Sequence, residues 1–405
     1  MVKPSSHIFF FPLILLCCKT PHEYSGSLAP AALIYMIADN NLDYYAISNI
    51  RQMEQGISDD RDGVIFVFID RGAGNPSHPY LMRIERNTES DTITSPILQV
   101  YQEKNSCDPD FLRQVIADVK SYSARQKAEL RRLVLWSHGT GWLPEGAPFN
   151  EIDDEDENIK THKMQFSFGL DNKGADDEIL YKKEMNIKEL SAALHGERFE
   201  LLILDACFMG SIETVYELRN TCDYLLVSPS EILSSGFPYK DIINDLAYKD
   251  IEPLAIAVKF HSYYSGQKNA LQSAAISVID TRGLPGLADK MIRVYDDYFL
   301  YRDEIRIDEL LHYDRTASNY FFDLKDFVVL VSKKTGETYN DLLDHYKKTV
   351  PFYLHTSKMF DTLDLAGTSG LSVYIPNTFT TRSGLHEYYH GLEWTRDSRA
   401  NLLFD

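Results

Sequence analysis

Sulfur is scarce in this chain, and positive charge is outnumbered. Of 405 residues five are cysteine: Cys17, Cys18, Cys107, Cys207 and Cys222. Two lie near the N-terminus, and the three in the body are isolated, with no second pair at metal-ligand spacing. That excludes a disulfide framework and a cysteine-rich zinc site, and leaves at least one body cysteine free. Lys and Arg number 41 against 60 Asp and Glu, a formal net charge of -19. Such a surface repels phosphate backbones and anionic headgroups, which argues against nucleic acid as a partner. After residue 16 no apolar run is long enough to cross a bilayer as a helix, and no internal repeat is visible. What remains is ordinary for a globular chain, with 44% hydrophobic and 25% charged residues and enough length for a substantial core.

The first 20 residues read as an export segment. Lys3 is followed by an apolar run, Ile8 to Leu16, that suits a signal-peptide core and is too short for a mature anchor. It ends in Cys17-Cys18-Lys19-Thr20, which resembles a lipobox, with Cys18 the better lipidation site and Cys17 the second. Large Leu residues or a Cys stand where a small residue is usual, so plain secretion is the alternative. The expectation is a secreted or cell-envelope protein whose only membrane contact is an N-terminal lipid anchor.

Past that segment, apolar runs alternate with helical periods. Ala31–Ala38, Val64–Ile69, Leu133–Ser137, Leu201–Leu204 and Tyr224–Ser228 are uninterrupted enough for strands buried on both faces. Tyr80–Glu85 and Ile97–Gln99 suit a hairpin or edge extension. Helical spacing appears over Leu42–Glu54, after Asp108-Pro109, over Asn186–Leu194 and over Ser211–Arg219. Buried strands separated by helices predict an α/β fold, a mostly parallel sheet flanked by helices on both faces. Residues 21–285 are assigned to this domain. Within it, residues 144–165 form a charged loop containing Glu151-Ile-Asp-Asp-Glu-Asp-Glu157, without apolar period. Residues 286–405 are assigned to a smaller mixed C-terminal subdomain, whose late strand Leu371–Ile375 is expected to rejoin the main sheet.

Two of the buried strands end in reactive residues. Leu133-Val-Leu-Trp-Ser-His138-Gly139 and Leu201-Leu-Ile-Leu-Asp205-Ala206-Cys207 would both point into the crevice at the carboxyl ends of a parallel sheet. A thiol becomes a nucleophile when a neighbouring base favours its thiolate, and histidine is the usual provider. Glycine after the histidine lets a backbone N–H approach a reacting carbonyl. A strand-end His or Cys is as readily structural, so position alone leaves both readings open.

The residues around them carry a resemblance. Trp136-Ser-His138-Gly139, and Leu204-Asp205-Ala206-Cys207-Phe-Met209 with Glu213 and Tyr216-Glu217-Leu218, resemble the clostripain-like cysteine peptidases, in the clan of caspases, legumains and gingipains. Ala38-Asp-Asn-Asn-Leu42 and Gly370-Leu-Ser-Val-Tyr-Ile-Pro376 look like the family's opening and late segments. The resemblance implies a caspase-like sheet and peptide-bond hydrolysis through a thioester, with peptides or proteins as substrates. By position, Cys207 would be the nucleophile and His138 its catalytic partner. The amides of Gly139 and Cys207 would form the oxyanion hole. No cofactor is needed for that chemistry, and a monomer is expected. A catalytically silent relative that binds peptides at a cell surface is the alternative.

The same resemblance implies cleavage after Arg or Lys, read by acids in the first specificity pocket. Asp205 matches one of them. The second is expected just before Gly236, where this chain has Ser234 and Ser235; Glu231 comes early in that loop and is the substitute candidate. Family members are also cut between the histidine and cysteine strands, and Lys160 and Lys163 are the candidate activation sites. Some relatives need calcium, which the loop carboxylates could ligate, but Asp153–Asp156 lacks the glycine-centred spacing of a calcium loop.

One competing motif is present. His386-Glu387-Tyr388-Tyr389-His390 fits a His-Glu-x-x-His zinc pattern and would make the chain a metallopeptidase. The following Gly391-Leu-Glu393-Trp-Thr-Arg396 lacks the downstream histidine of the longer zinc signature, and no metal site is expected here.

Overall fold

The apolar runs pair into one sheet. A computed structural model describes residues 28–72, 74–89, 92–147, 168–171, 184–316, 318–377, 380 and 383–404. Its strands are β1 (Ala29–Ala38), β2 (Val64–Arg71), β3 (Tyr80–Arg83), β4 (Ile97–Val100), β5 (Ala128–Trp136), β6 (Phe199–Asp205), β7 (Cys222–Val227), β8 (Ala275–Asp280), β9 (Phe322–Asp323) and β10 (Phe352–His355). Nine of them form the main sheet in the order β10-β8-β7-β6-β5-β1-β2-β3-β4. The central five, β7-β6-β5-β1-β2, are parallel, and two antiparallel strands extend each side. The expected hairpin at Tyr80–Gln99 is the β3-β4 extension at one edge.

β1 shows why the centre must be covered twice. Ala31, Leu33, Tyr35 and Ile37 enter one apolar cluster, and Ala32, Ile34, Met36 and Ala38 enter the other. Side chains alternate across a strand, so an unbroken apolar run fills a core on both faces. On one face lie α1 (Asp43–Gly56), α5 (Tyr239–Ile242) and α6 (Pro253–Ser265). On the other lie α2 (Pro109–Arg125), α3 (Ile187–Ala193), α4 (Ile212–Glu217) and α7 (Leu284–Tyr301). Local signals set two of these starts. The Asp108 carboxylate accepts from the amides of Asp110 and Phe111 ahead of Pro109, and Asn186 forms a capping box with Glu189.

The C-terminal part differs from expectation. Leu371–Ile375 does not rejoin the main sheet: Ser372–Val373 pairs with β9, and Ser372 bridges to Ser211. The strand that joins is β10, antiparallel to β8. Tyr374, Ile375, Tyr389 and Trp394 also fill the same apolar cluster as β5 and β6, so residues 286–405 share a core with the sheet. The pattern along the chain passes over β8, where small and polar residues interrupt Ala-Ile-Ser-Val-Ile-Asp, and its role appears only in the pairing.

Candidate active site

Strand register brings the two strand ends together. Trp136 of β5 pairs with Asp205 of β6, and the Ser137 amide donates to the Asp205 carbonyl at 3.3 Å. His138 and Cys207 each follow two residues beyond that shared rung, on neighbouring parallel strands. The loops they open are in direct contact. A Cβ placed on Gly139 would lie 2.8 Å from the Cys207 carbonyl oxygen and 2.9 Å from the Ala206 Cβ. Gly141, at φ +63°, lies as close to Phe208, where a Cβ would meet the carbonyl oxygen at 2.6 Å. Glycine at 139 is therefore the residue that lets the histidine loop seat against the loop that carries Cys207.

His138 is buried, and its Nε2 lies 2.7 Å from Asn41 Oδ1. An amide oxygen only accepts, so in this arrangement Nε2 carries the proton and donates it. Asn41 was not singled out from the sequence as a partner of His138. It belongs to the Ala38–Leu42 segment that carries the family resemblance, which is the signal that could have found it. The 168–171 stretch supports the histidine from behind, with the Gly169 amide donating to the His138 carbonyl at 3.0 Å.

Cys207 is buried and in no disulfide, as are Cys107 and Cys222. Its sulfur sits against Ile232, whose amide donates to Sγ at 3.2 Å and whose carbonyl lies 3.5 Å from it. The Cys207 loop bends through Phe208 at φ +60° and is held from two sides. The Phe208 amide donates to Ser230 O at 2.9 Å and the Gly210 amide to Ser228 O at 2.7 Å. On the opposite side the Ser372 amide donates to Gly210 O at 3.0 Å, and Phe208 stacks on Phe321 at 4.7 Å. Just beyond, Glu213 Oε1 accepts from the Tyr374 amide and the Tyr389 hydroxyl, each at 2.9 Å. Burial pushes Glu213 up to about 7.

The two candidate pocket acids have different surroundings. Asp205 is buried beneath the 236–239 turn. Its Oδ2 accepts from the Phe237 amide at 3.1 Å and the Tyr239 hydroxyl at 2.8 Å. Burial raises it to about 7, against the lowering effect of those two donors. Glu231 is enclosed in a salt bridge, its Oε1 accepting from Arg315 Nε at 2.9 Å. Lys160, Lys163, the residues of the acidic loop from 148 to 165 and the N-terminal Cys17 and Cys18 lie outside the described residues.

The rings of His386 and His390 both pack on Phe404, at 4.3 and 4.9 Å between centroids. Among the described residues, no group of three His, Cys, Asp or Glu is arranged to hold a metal ion.

A central parallel sheet with histidine and cysteine at adjacent strand ends is the arrangement of the caspase-like cysteine peptidases. The family model of the clostripain family matches residues 34–376, and the chain belongs to that family. It is similar to an inactive zymogen C11 protease from Parabacteroides distasonis, with TM-score 0.72 and 28% identity over 92% of this chain and 98% of that one. It is also similar to a secreted C11 cysteine protease from Bacteroides thetaiotaomicron bound to an irreversible peptide inhibitor, with TM-score 0.72 and 25% identity over 91% and 99%. Clostripain from Hathewaya histolytica is 23% identical over 237 residues, which are 52% of this chain and 41% of that protein.

Proposed function

We propose that the chain is a cysteine endopeptidase working through Cys207 and His138. The observation that carries the reading is the seating of Gly139 against the Cys207 backbone, which brings the loops that follow β5 and β6 together. The Cys207 thiolate attacks the scissile carbonyl carbon, and the carbonyl π pair moves onto oxygen. As that intermediate collapses the C–N bond breaks, and protonated His138 gives its proton to the leaving amine. Water then adds to the thioester while His138 takes its proton, and breaking the C–S bond releases the acid and restores the thiolate beside protonated His138. The amides of Gly139 and Cys207 are the donors for the oxyanion, where one donor is commonly worth about 10²–10³ in rate.

The chemical step needs no cofactor. The finer readings are that peptides with a basic P1 residue are preferred, read by Asp205, and that a cut at Lys160 or Lys163 activates the enzyme. Asp205 supports the first because both hydrogen bonds of its carboxylate among the described residues fall on Oδ2 rather than Oδ1. The zymogen form of the Parabacteroides relative supports the second. The apolar Ile8–Leu16 run supports export, with lipid on Cys18 or Cys17, and we read the enzyme as a monomer. Calcium, if it acts, would bind the carboxylates of the acidic loop and would be removed by a chelator.

The experiment is a peptide-library cleavage profile of the wild type beside Cys207→Ala and His138→Ala. Hydrolysis that is abolished by either substitution and by iodoacetamide is expected. Activity that survives alkylation but not a zinc chelator would sink the reading.

A further inference from the structure

Glu231 entered as a candidate for the substrate pocket, and its surroundings give it a different task. The segment Ser228-Pro229-Ser230-Glu231-Ile232 leaves β7 and runs back along the nucleophile loop. Every second residue touches it: Ser228 O takes the Gly210 amide, Ser230 O takes the Phe208 amide, and the Ile232 amide reaches Cys207 Sγ. The approach is close enough that a Cβ on Gly210 would lie 2.6 Å from Pro229 N. The position of this strip therefore sets the position of the donor on the nucleophile's sulfur.

The strip has no regular secondary structure to hold it. The side chains of Ser230 and Glu231 fix it to the segment before β9. Ser230 Oγ lies 2.7 Å from Tyr313 O, and Glu231 Oε1 takes the Arg315 Nε proton at 2.9 Å. The Arg315 guanidinium is in turn stacked over the Phe360 ring at 4.2 Å. That partner segment is itself anchored: buried Asp314 accepts from the Thr316 hydroxyl and from the amides of Tyr320 and Phe321. Tyr313 donates its hydroxyl proton to Asp323 at 2.7 Å.

A buried ion pair contributes little net stability over an apolar pair of the same shape, because desolvation offsets the attraction. What it does well is fix one relative position. We propose that Glu231 and Arg315 are positioning residues for the nucleophile: their ion pair holds the 228–232 strip so that the Ile232 amide donates to Cys207 Sγ. An N–H aimed at sulfur favours the thiolate and fixes the direction of the sulfur lone pairs. The inference rests on the cysteine-peptidase reading of Cys207. It moves Glu231 out of the P1 pocket, since a carboxylate already held by a guanidinium offers a basic substrate side chain little.

The test is the pH profile of Cys207 alkylation by iodoacetamide, followed by mass spectrometry of the Cys207 peptide in the full chain. Wild type, Glu231→Gln, Arg315→Gln and Arg315→Lys are compared. This readout does not require peptidase activity, so a failed peptidase assay and a failed positioning proposal are distinguishable. Buried Cys107 and Cys222 serve as the internal fold control and should stay unmodified. The expected result is a profile displaced upward by about one pH unit in both neutral variants. With it comes a kcat loss of about tenfold that is the same for basic and neutral P1 residues, with KM little changed. Arg315→Lys, which keeps the charge, should recover part of both, and it decides the matter if a neutral variant exposes Cys107 or Cys222. An unmoved or lowered alkylation profile in folded Glu231→Gln and Arg315→Gln overturns the proposal. So does a selective rise of KM for Lys and Arg substrates in Glu231→Gln with alkylation unchanged, which would return Glu231 to the pocket.

Discussion

His138 Nε2 lies 2.7 Å from Asn41 Oδ1, across 97 residues of chain. The amide oxygen holds one tautomer and one ring orientation of the imidazole. In the proposed mechanism His138 must give a proton and then take one, so a ring free to rotate would spend less time in register. Asn41→Ala is expected to lower kcat by about tenfold with little change in KM, because the residue acts through His138 rather than on substrate. Steady-state kinetics on a peptide substrate check this, and an unchanged kcat would remove Asn41 from the mechanism.

The contact between Gly139 and the Cys207 backbone predicts a sharp steric limit. In Gly139→Ala the added methyl would stand 2.8 Å from the Cys207 carbonyl oxygen, and backbone has little freedom to yield. Overpacking of this kind costs about 1–3 kcal/mol. It would also displace an oxyanion donor, so kcat should fall by about 10² or more while thermal unfolding shows only a moderate loss. A variant with wild-type kcat would mean that the two loops are not held this tightly in solution.

The proposed reading of a basic P1 residue by Asp205 predicts a pH-dependent preference. Burial raises its carboxyl to about 7, so the carboxylate that a basic P1 side chain needs is only partly formed at neutral pH. The ratio of kcat/KM for a Lys or Arg substrate to that for a matched neutral-P1 substrate should rise as pH increases through about 7. Using the ratio cancels the titration of Cys207 and His138, which both substrates share. Asp205→Asn should flatten it. A ratio independent of pH in the wild type would separate Asp205 from P1 recognition.

Glu213 makes a prediction about stability. It is buried in the first turn of α4, accepts from Tyr374 and Tyr389 on Oε1, and its Oε2 has no hydrogen-bond partner among the described residues. Its folded pKa of about 7 exceeds the ordinary 4.5, so the fold favours the protonated form. The associated stability is complete below about 4.5 and is lost as pH rises through about 7. Unfolding midpoints of the wild type should therefore fall as pH rises from about 4.5 to about 7 and level off above that. Glu213→Gln, neutral throughout and able to keep the Oε1 acceptor, should show a shallower fall. Parallel slopes for the two proteins would contradict the assignment.

Much of the fold is legible in the sequence because the signals are local. Unbroken apolar runs mark β1, β2, β5, β6 and β7, and Asp108-Pro109 marks the start of α2. Strand β8 and strand β10 are not visible that way: their residues are short, mixed runs that become strands only by pairing on an existing edge. Leu371–Ile375 shows the opposite error. It has the composition of a strand, but its hydrogen bonds go to β9 and to Gly210, where it closes over the nucleophile loop instead of extending the sheet.

For the site, the chain by itself determined that a histidine and a cysteine follow the ends of buried strands, because residue type and strand period are written in consecutive positions. It also placed Asp205 two residues before Cys207. Tertiary structure alone decided which side chains those groups meet. Asn41 reaches His138 across 97 positions, and Arg315 reaches Glu231 across 84. Such pairings depend on sheet register and on loops crossing in space, which no local spacing encodes. The same carboxylate, read along the chain, is a pocket acid; enclosed by Arg315 and leading into Ile232, it holds the nucleophile's loop in place.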